Sequence, residues 1–183
     1  MKIGVISDTH DNLASMLTAL AIFKEDEVEL IVHCGDWVAP FAVKFFSDNS
    51  GDIPVKGVFG NNEGDTKSIV LKNQKLAKPV ELAMRKALEF QVPGGAWLVA
   101  CHGEDTAVLE ALIRSRKYQA VFTGHTHAVR NELIDGVRVL NPGSTCFACE
   151  GAIVDAATVA IYDSDANTAE VKSFPRPLDA KKP

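Results

Sequence analysis

The pattern of apolar and polar positions predicts alternating strands and helices in the first third of the chain. Short apolar, β-branched runs that end at glycine or aspartate are typical of buried strands, and three of them occupy residues 2–7, 30–34 and 55–59. Between these runs, Asp11 or Asn12 can cap a helix whose apolar residues recur at helical spacing. Pro40 suits the first turn of a second helix, which extends through Phe46. This order predicts parallel strands joined by right-handed crossovers.

The later part of the chain predicts mainly antiparallel strands. Residues 64–78 favour a short helix and a loop, and Asp105 can cap a further helix. Strands are predicted at residues 82–85, 87–92, 96–100, 120–122, 129–134, 137–140, 152–162 and 169–174. The turn residues 93–95 and 135–136 predict hairpins. We therefore expect one α/β domain, residues 1–174, with two packed mixed sheets flanked by helices, and a frayed tail at residues 175–183.

Composition and charge limit the classes of protein to which this chain can belong. A chain of 183 residues with 46% hydrophobic and 23% charged residues is long enough to bury its own core. The net charge of −5 argues against stable nucleic-acid binding. No apolar stretch reaches the roughly 18 residues of a membrane span, so no membrane partner is expected. Because the chain starts with a strand and not with a signal peptide, the cytoplasm is the expected compartment.

The four cysteines allow a second hypothesis about the chemistry, a redox or zinc-binding pair of thiols. Cys146 and Cys149 have the spacing of a redox or zinc pair, but no second pair accompanies them. Cys34 and Cys101 precede polar motifs at strand ends, where small buried residues would serve equally well. We interpret all four as buried or incidental thiols.

Five polar motifs follow five of the predicted strands. In chain order they are Asp8-Thr9-His10, Gly35-Asp36, Gly60-Asn61, His102-Gly103 and Gly124-His125-Thr126-His127. Ligands of open α/β sheets gather outside the carboxyl ends of the strands, so these side chains are expected to converge. His33 lies inside the second strand and is predicted to be a packed histidine or a group behind the ligands.

The converging side chains indicate a metal site. Carboxylate, imidazole and amide ligands without thiolates suit Mn²⁺, Zn²⁺, Ni²⁺, Fe or Co²⁺. A catalytic zinc ion takes only three protein ligands, whereas seven candidates are present here. The candidates are Asp8, His10, Asp36, Asn61, His102, His125 and His127. Two ions that share a carboxylate would use them all, and paired ions are a known device for the hydrolysis of phosphate esters.

The five motifs, in this order, resemble those of the calcineurin-like metallophosphoesterase superfamily. The small size and the late Asn141-Pro142-Gly143-Ser144 are most similar to its compact YfcE-type phosphodiesterase branch. The resemblance implies a four-layer α/β/β/α sandwich with the site at its top. It also implies two ligand sets that share Asp36 as the bridge. The first set is Asp8, His10, Asp36 and His127; the second is Asp36, Asn61, His102 and His125.

One position departs from the superfamily pattern. Larger members carry a histidine immediately after the metal-binding asparagine, and it contacts the phosphate or protonates the leaving group. This chain has Asn62 there, which can hydrogen-bond a phosphate oxygen but has no accessible pKa for proton transfer. Asn62 and Asp36 are the predicted catalytic residues, and the general acid is left open. Glu63 is expected to lie behind the ligands or on the surface.

The expected function is hydrolysis of a phosphodiester or a phosphomonoester, with a hydroxide that bridges two divalent ions as the nucleophile. Mn²⁺ is the expected ion, and a small phosphate ester is the expected substrate. An apolar surface on the later strands would allow a homo-oligomer. The alternative is a non-catalytic protein-interaction scaffold on the same fold, like the retromer subunit that resembles this branch. Intact ligand positions favour the enzyme, because a scaffold has no evident need for them.

Overall fold

A computed structural model of the chain describes residues 1–146, 148–149, 152–153 and 156–175. Its helices are α1 (Leu13–Glu25), α2 (Pro40–Asn49), α3 (Thr66–Asn73) and α4 (Thr106–Arg114). Its first strands are β1 (Lys2–Ile6), β2 (Leu30–His33), β3 (Val55–Gly57), β4 (Glu81–Leu82), β5 (Ala87–Gln91) and β6 (Trp97–Cys101). The later strands are β7 (Ala120–Phe122), β8 (Val129–Ile134), β9 (Val137–Pro142), β10 (Ala148–Cys149), β11 (Ala152–Ile153), β12 (Ala156–Asp163) and β13 (Thr168–Pro175).

The first sheet has the strand order β13-β12-β1-β2-β3-β4. Strands β1, β2, β3 and β4 are parallel to one another, which confirms the parallel strands predicted from the first third of the chain. Strand β12 pairs antiparallel with β1, and β13 pairs antiparallel with β12. The start of the chain therefore lies in the middle of the sheet, so that the loop after β1 reaches the centre of one edge.

The second sheet has the order β5-β6-β7-β9-β8. Strands β6, β7 and β9 are parallel, whereas β5 and β8 are antiparallel to their neighbours at the two edges. The predicted hairpins at residues 93–95 and 135–136 join β5 to β6 and β8 to β9. The sheet is mixed, as predicted.

Helices α1, α2 and α3, the first sheet, the second sheet and helix α4 form four successive layers. Apolar side chains fill the three spaces between them. Alternate residues of β1 face opposite sides: Val5 packs between the two sheets, and Ile6 packs against α1, α2 and α3. Phe122 of β7 lies in the layer between the sheets, and Val121 faces α4 with Ile113. The molecule is the predicted α/β/β/α sandwich.

Several boundaries differ from the predictions. The strand predicted at residues 82–85 is instead the two-residue β4, which ends at Leu82 and pairs with β3 of the first sheet before the chain crosses to the second sheet. The predicted single strand 152–162 is divided between β11 and β12. Helix α2 extends three residues beyond Phe46. The tail was predicted at residues 175–183; Pro175 belongs to β13, and residues 176–183 lie outside the described residues.

The predicted N-caps are present. Asn12, and not Asp11, caps α1 by accepting a hydrogen bond from the backbone N–H of Ser15 at 3.1 Å. Asp105 caps α4 through the N–H of Val108 at 3.2 Å. Across the described ranges, none of the helices has the length and apolar character needed to cross a membrane.

Candidate metal centre

The predicted ligands converge in the loops after five strands. Strand β1 leads into Asp8 and His10, β2 leads into Asp36, and β3 leads into Asn61. Strand β6 ends one residue before His102, and the loop after β7 carries His125 and His127. The first three loops belong to one sheet and the last two to the other, so the site joins both sheets at one end of the sandwich.

One group of ligand atoms is formed by Asp8, His10, Asp36 and His127. A single ligand atom from each lies within 4.8 Å of those of the other three. The Nε2 atoms of His10 and His127 are 3.2 Å apart. His127 Nε2 lies 3.3 Å from Asp8 Oδ1, and His10 Nε2 lies 3.4 Å from Asp36 Oδ2. Such a group of two carboxylates and two imidazoles can hold a divalent ion.

A second group surrounds the amide oxygen of Asn61. Asn61 Oδ1 lies 2.9 Å from His125 Nδ1 and 3.0 Å from His102 Nε2. His102 Nε2 is also 3.4 Å from Asp36 Oδ1, whereas the other oxygen of Asp36 faces the first group. Asp36 therefore contacts both groups with different oxygens, the position of a bridging carboxylate.

Asn62 donates hydrogen bonds to both carboxylate oxygens of Asp36. The Asn62 backbone N–H donates to Oδ1 at 2.9 Å, and its side-chain amide donates to Oδ2 at 2.7 Å. Burial by itself raises the pKa of Asp36, but hydrogen bonds from His102 and Asn62 and the positive charge of His102 outweigh it. The pKa of Asp36 is therefore held well below its usual range, and the carboxylate is ionised.

The environment of Asp8 fits a bound cation. Asp8 is fully buried, and its Oδ1 atom has no hydrogen-bond partner among the described residues. Within that part of the chain, the ion pairs of Asp8 and Asp36 are with histidines only. A buried carboxylate with an unpartnered oxygen is costly unless a positive charge compensates it. Oxygen and imidazole donors around this atom are the ligands that divalent transition metals take.

The backbone carries strain at the ligands themselves. Five of the seven have a positive φ, a conformation that is unfavourable for residues with a side chain. They are Asp8 (53°), His10 (41°), Asp36 (59°), His125 (67°) and His127 (58°). Only glycine fits at position 60, because a Cβ atom there would lie 2.2 Å from Asp36 Oδ1 and 2.8 Å from His102 Cε1. The glycines of the motifs thus let neighbouring loops approach the ligands.

Two residues of the 141–144 segment support the ligand loops, and sequence reasoning did not assign them a role. The Asn141 side-chain amide donates to the backbone oxygen of Gly124 at 2.7 Å and to Thr126 Oγ1 at 3.1 Å. The Ser144 hydroxyl donates to the backbone oxygen of Asp8 at 2.9 Å. The signal for these roles was the Asn141-Pro142-Gly143-Ser144 segment at the end of a buried strand.

His33 is packed, as predicted, and is completely buried. Its ring stacks on that of Trp37 with a centroid distance of 3.5 Å. Glu63 lies behind the ligands, where its Oε1 atom accepts the N–H of Trp37 at 3.2 Å. Burial raises the pKa of Glu63.

Cys34 and Cys101 are buried, as predicted. Cys146 is half-buried, and its Sγ atom joins His10 and His127 in a group that could hold a metal ion, which the sequence did not indicate. Cys146 Sγ lies 3.7 Å from His127 Nδ1, on the ring nitrogen that does not face Asp8. The side chain of Cys149 lies outside the described residues, so the proposed pair is not described.

The chain is similar in sequence and in structure to known phosphodiesterases. The phosphodiesterase MJ0936 of Methanocaldococcus jannaschii is 34% identical over 167 residues, which cover 90% of this chain and 94% of the relative. The structure of an archaeal phosphodiesterase superposes with a TM-score of 0.82 at 30% identity, and covers 95% of this chain and 100% of its own.

A more distant structure shares the fold. The phosphoesterase YfcE of E. coli superposes with a TM-score of 0.63 at 20% identity over 90% of each chain. The sequence profile of the calcineurin-like phosphoesterase superfamily domain matches residues 1–167, which include all seven ligand candidates. The protein described here is therefore a member of the calcineurin-like phosphoesterase superfamily.

Proposed function

We propose that this protein is a metal-dependent phosphodiesterase with a binuclear centre. The observation that carries the proposal is the position of Asp36, whose two oxygens face two separate groups of metal-ligating atoms. The similarity to phosphodiesterases supports the reaction class. A protein-interaction scaffold would not need the buried carboxylate of Asp8, whose Oδ1 atom has no hydrogen-bond partner among the described residues, within a group of metal-ligating side chains.

The ligand sets follow from the two groups. Asp8, His10, Asp36 and His127 would hold the first ion, and Asp36, Asn61, His102 and His125 would hold the second. When bound, two divalent ions supply Lewis-acid charge that activates water for in-line attack on phosphorus and neutralises the phosphoryl oxygens. We expect Mn²⁺, with Zn²⁺, Ni²⁺, Fe and Co²⁺ as alternatives, because the donor set accepts each of them.

The residues of the chain contribute position and charge. Asn62 fixes the orientation of Asp36 with two hydrogen bonds, so that both carboxylate oxygens point at their ligand groups. The Asn62 amide nitrogen carries two hydrogens, and only one is needed for the bond to Asp36. The second hydrogen can donate to a phosphoryl oxygen of the substrate. In this role, Asn62 both positions a ligand and contacts the substrate.

The absence of the usual histidine at position 62 predicts a reaction that depends on its leaving group. Without a protein group that donates a proton there, the rate depends on how well the leaving alkoxide bears negative charge. We expect aryl diesters such as bis-nitrophenyl phosphate to react much faster than alkyl diesters of the same charge. Equal rates for the two, with chemistry shown to be rate-limiting, would refute this argument.

The proposed function is tested with a substrate panel and reconstituted metals. The protein is freed of metal, loaded in turn with Mn²⁺, Zn²⁺ and Ni²⁺, and assayed on matched phosphodiesters and phosphomonoesters. We expect turnover that is faster on diesters and is lost in the Asp36→Asn variant. Asp48→Asn serves as the control, since Asp48 is an exposed partner of Lys44 away from the site. No turnover on any ester with any ion, together with tight binding of a protein partner, would favour the scaffold.

A further inference from the structure

Strand β8 (Val129–Ile134) forms an open edge of the second sheet. Among the described residues it pairs with β9 alone. The two strands are joined by the two-residue turn Asp135-Gly136, in which both residues have positive φ. In such a turn the flanking residues, Ile134 and Val137, exchange hydrogen bonds.

This turn determines which backbone groups of β8 face outward. Peptide groups alternate in direction along a strand, so the residues at even positions point their N–H and C=O towards β9. The odd positions point towards the open edge, where they have no backbone hydrogen bond in the described part of the chain. They are Val129, Asn131 and Leu133. Val129 is 49% exposed and Leu133 is 57% exposed.

An edge of this kind is a template for pairing with another strand. The charged side chains of β8 indicate which strand would pair with this edge. We propose that two copies of this chain form a homodimer in which their β8 strands pair antiparallel about a two-fold axis at Asn131. In this register Arg130 lies opposite the partner's Glu132, and Glu132 lies opposite the partner's Arg130. The contact is isologous and closes after two subunits.

The neighbouring registers are excluded by the same charges. A shift that centres the pairing on position 130 places Arg130 opposite its own copy, and a shift to position 132 does the same with Glu132. Like charges directly opposite each other destabilise an antiparallel pair. The register at Asn131 also pairs its outward-facing backbone groups with those of the partner, which fits the alternation set by the turn.

The apolar side chains agree with this register. Val129 lies opposite the partner's Leu133, and Leu133 lies opposite the partner's Val129. These residues share one face of β8 with Asn131, whose side-chain amide is held by the backbone oxygen of Ala169 at 2.9 Å. Arg130 and Glu132 share the other face and form an exposed ion pair within the chain at 2.9 Å. Pairing therefore covers the exposed apolar residues and replaces the exposed ion pair within each chain by an ion pair between the chains.

The test measures the mass of the full-length protein over a concentration series by light scattering and sedimentation equilibrium. We expect a concentration-dependent dimer of twice the 19.7 kDa chain. Arg130→Glu or Glu132→Arg places like charges opposite each other at two positions, and each should raise the dissociation constant about tenfold or more. Arg114→Glu is the matched control, since it reverses an exposed arginine that pairs with Glu110 on α4, and it should leave the dimer intact.

Mixing the two variants separates pairing between chains from effects within a chain. The Arg130→Glu and Glu132→Arg chains complement each other only across the proposed interface, so an equimolar mixture should recover the affinity that each variant alone has lost. Circular dichroism and urea unfolding establish that each variant is folded. A wild-type monomer up to the solubility limit, dimers that persist in both single variants, or a mixture that stays monomeric would each overturn the proposal.

Discussion

His33 is a buried side chain that links two ligand loops. Its Nδ1 atom accepts the N–H of Gly35 at 3.1 Å, so the ring proton lies on Nε2. Nε2 is 3.1 Å from the Thr9 hydroxyl, which in turn donates to the backbone oxygen of Asp36 at 3.3 Å. Burial lowers the pKa of His33 well below its ordinary value, so the ring is neutral. A neutral histidine thus holds the Asp8–His10 loop against the Asp36 loop.

Replacement of His33 by alanine should weaken both the fold and the metal site. The change leaves the Gly35 N–H without its acceptor, removes one of the two partners of the Thr9 hydroxyl, and opens a cavity beside Trp37. We expect the free energy of unfolding in urea to fall by about 2–4 kcal/mol. Affinity for Mn²⁺, measured by calorimetry, should fall about tenfold, a typical effect of groups behind metal ligands. An unchanged affinity in the folded variant would contradict the linking role.

Gly60→Ala should displace Asp36 while the fold is retained. The new Cβ would lie 2.2 Å from Asp36 Oδ1 and 2.7 Å from the Asp36 backbone nitrogen, so the carboxylate must move. We expect at least about a tenfold loss of metal affinity by calorimetry, because the orientation of ligands controls affinity. Gly64→Ala is the matched control: its nearest atom would be Val38 O at 3.8 Å. Equal affinities for the two variants would exclude this account.

At the scale of elements, the two sheets are covered unequally. Helices α1, α2 and α3 pack on the first sheet, whereas α4 packs on the second with Ile113, Leu109 and Leu112. The loop that precedes α4 carries His102. The start of α4 is therefore close in sequence to the metal site, and its N-cap affects how the covering helix begins.

Asp105→Ala should destabilise α4 without changing the ligands. Loss of the side-chain bond to the Val108 N–H leaves a helix N–H without its cap, which typically costs about 1 kcal/mol. The midpoint of urea unfolding should fall accordingly. Asp105→Asn keeps an acceptor oxygen at the same position and should retain most of the stability. An alanine variant as stable as the asparagine variant would show that this cap contributes little.

At the scale of the molecule, the candidate metal centre lies where the two sheets meet. Asp8, His10, Asp36 and Asn61 follow strands of the first sheet, and the other three candidate ligands follow strands of the second. Ions bound between them would hold the open ends of the sheets together. Binding to the native state alone stabilises it by mass action.

Metal should therefore raise the temperature of unfolding. At a free Mn²⁺ concentration of about 100 times the dissociation constant, the gain is about 2.7 kcal/mol, or about 5–10 °C for a chain of this size. Calorimetric scans of the metal-free and loaded protein measure the shift, and a chelator should reverse it. Asp8→Asn should lose most of the shift, and Asp48→Asn should keep it. Equal shifts in both variants would place the ions elsewhere.

Local pattern was sufficient for most elements and for the convergence of the candidate ligands. The strand at residues 30–34 and the cap at Asp105 could be predicted because periodicity and capping depend on neighbours in sequence. Asp36 and Asn61 were identified because each follows a buried strand, and the carboxyl ends of parallel strands meet at one edge. The resemblance to the superfamily then assigned the ligands to two ions.

Tertiary contacts decided the remaining features. Asn62 binds the carboxylate of Asp36, 26 positions away, and Asn141 supports the loop of His125 from the adjacent strand. The segment at 82–85 was misassigned because its pairing with β3 depends on a partner about 25 residues earlier in the chain. Strand ends and motifs follow from short-range preferences, which the sequence carries in each segment. Partners of individual polar groups follow from which loops the packed sheets bring together, and only the folded chain determines that.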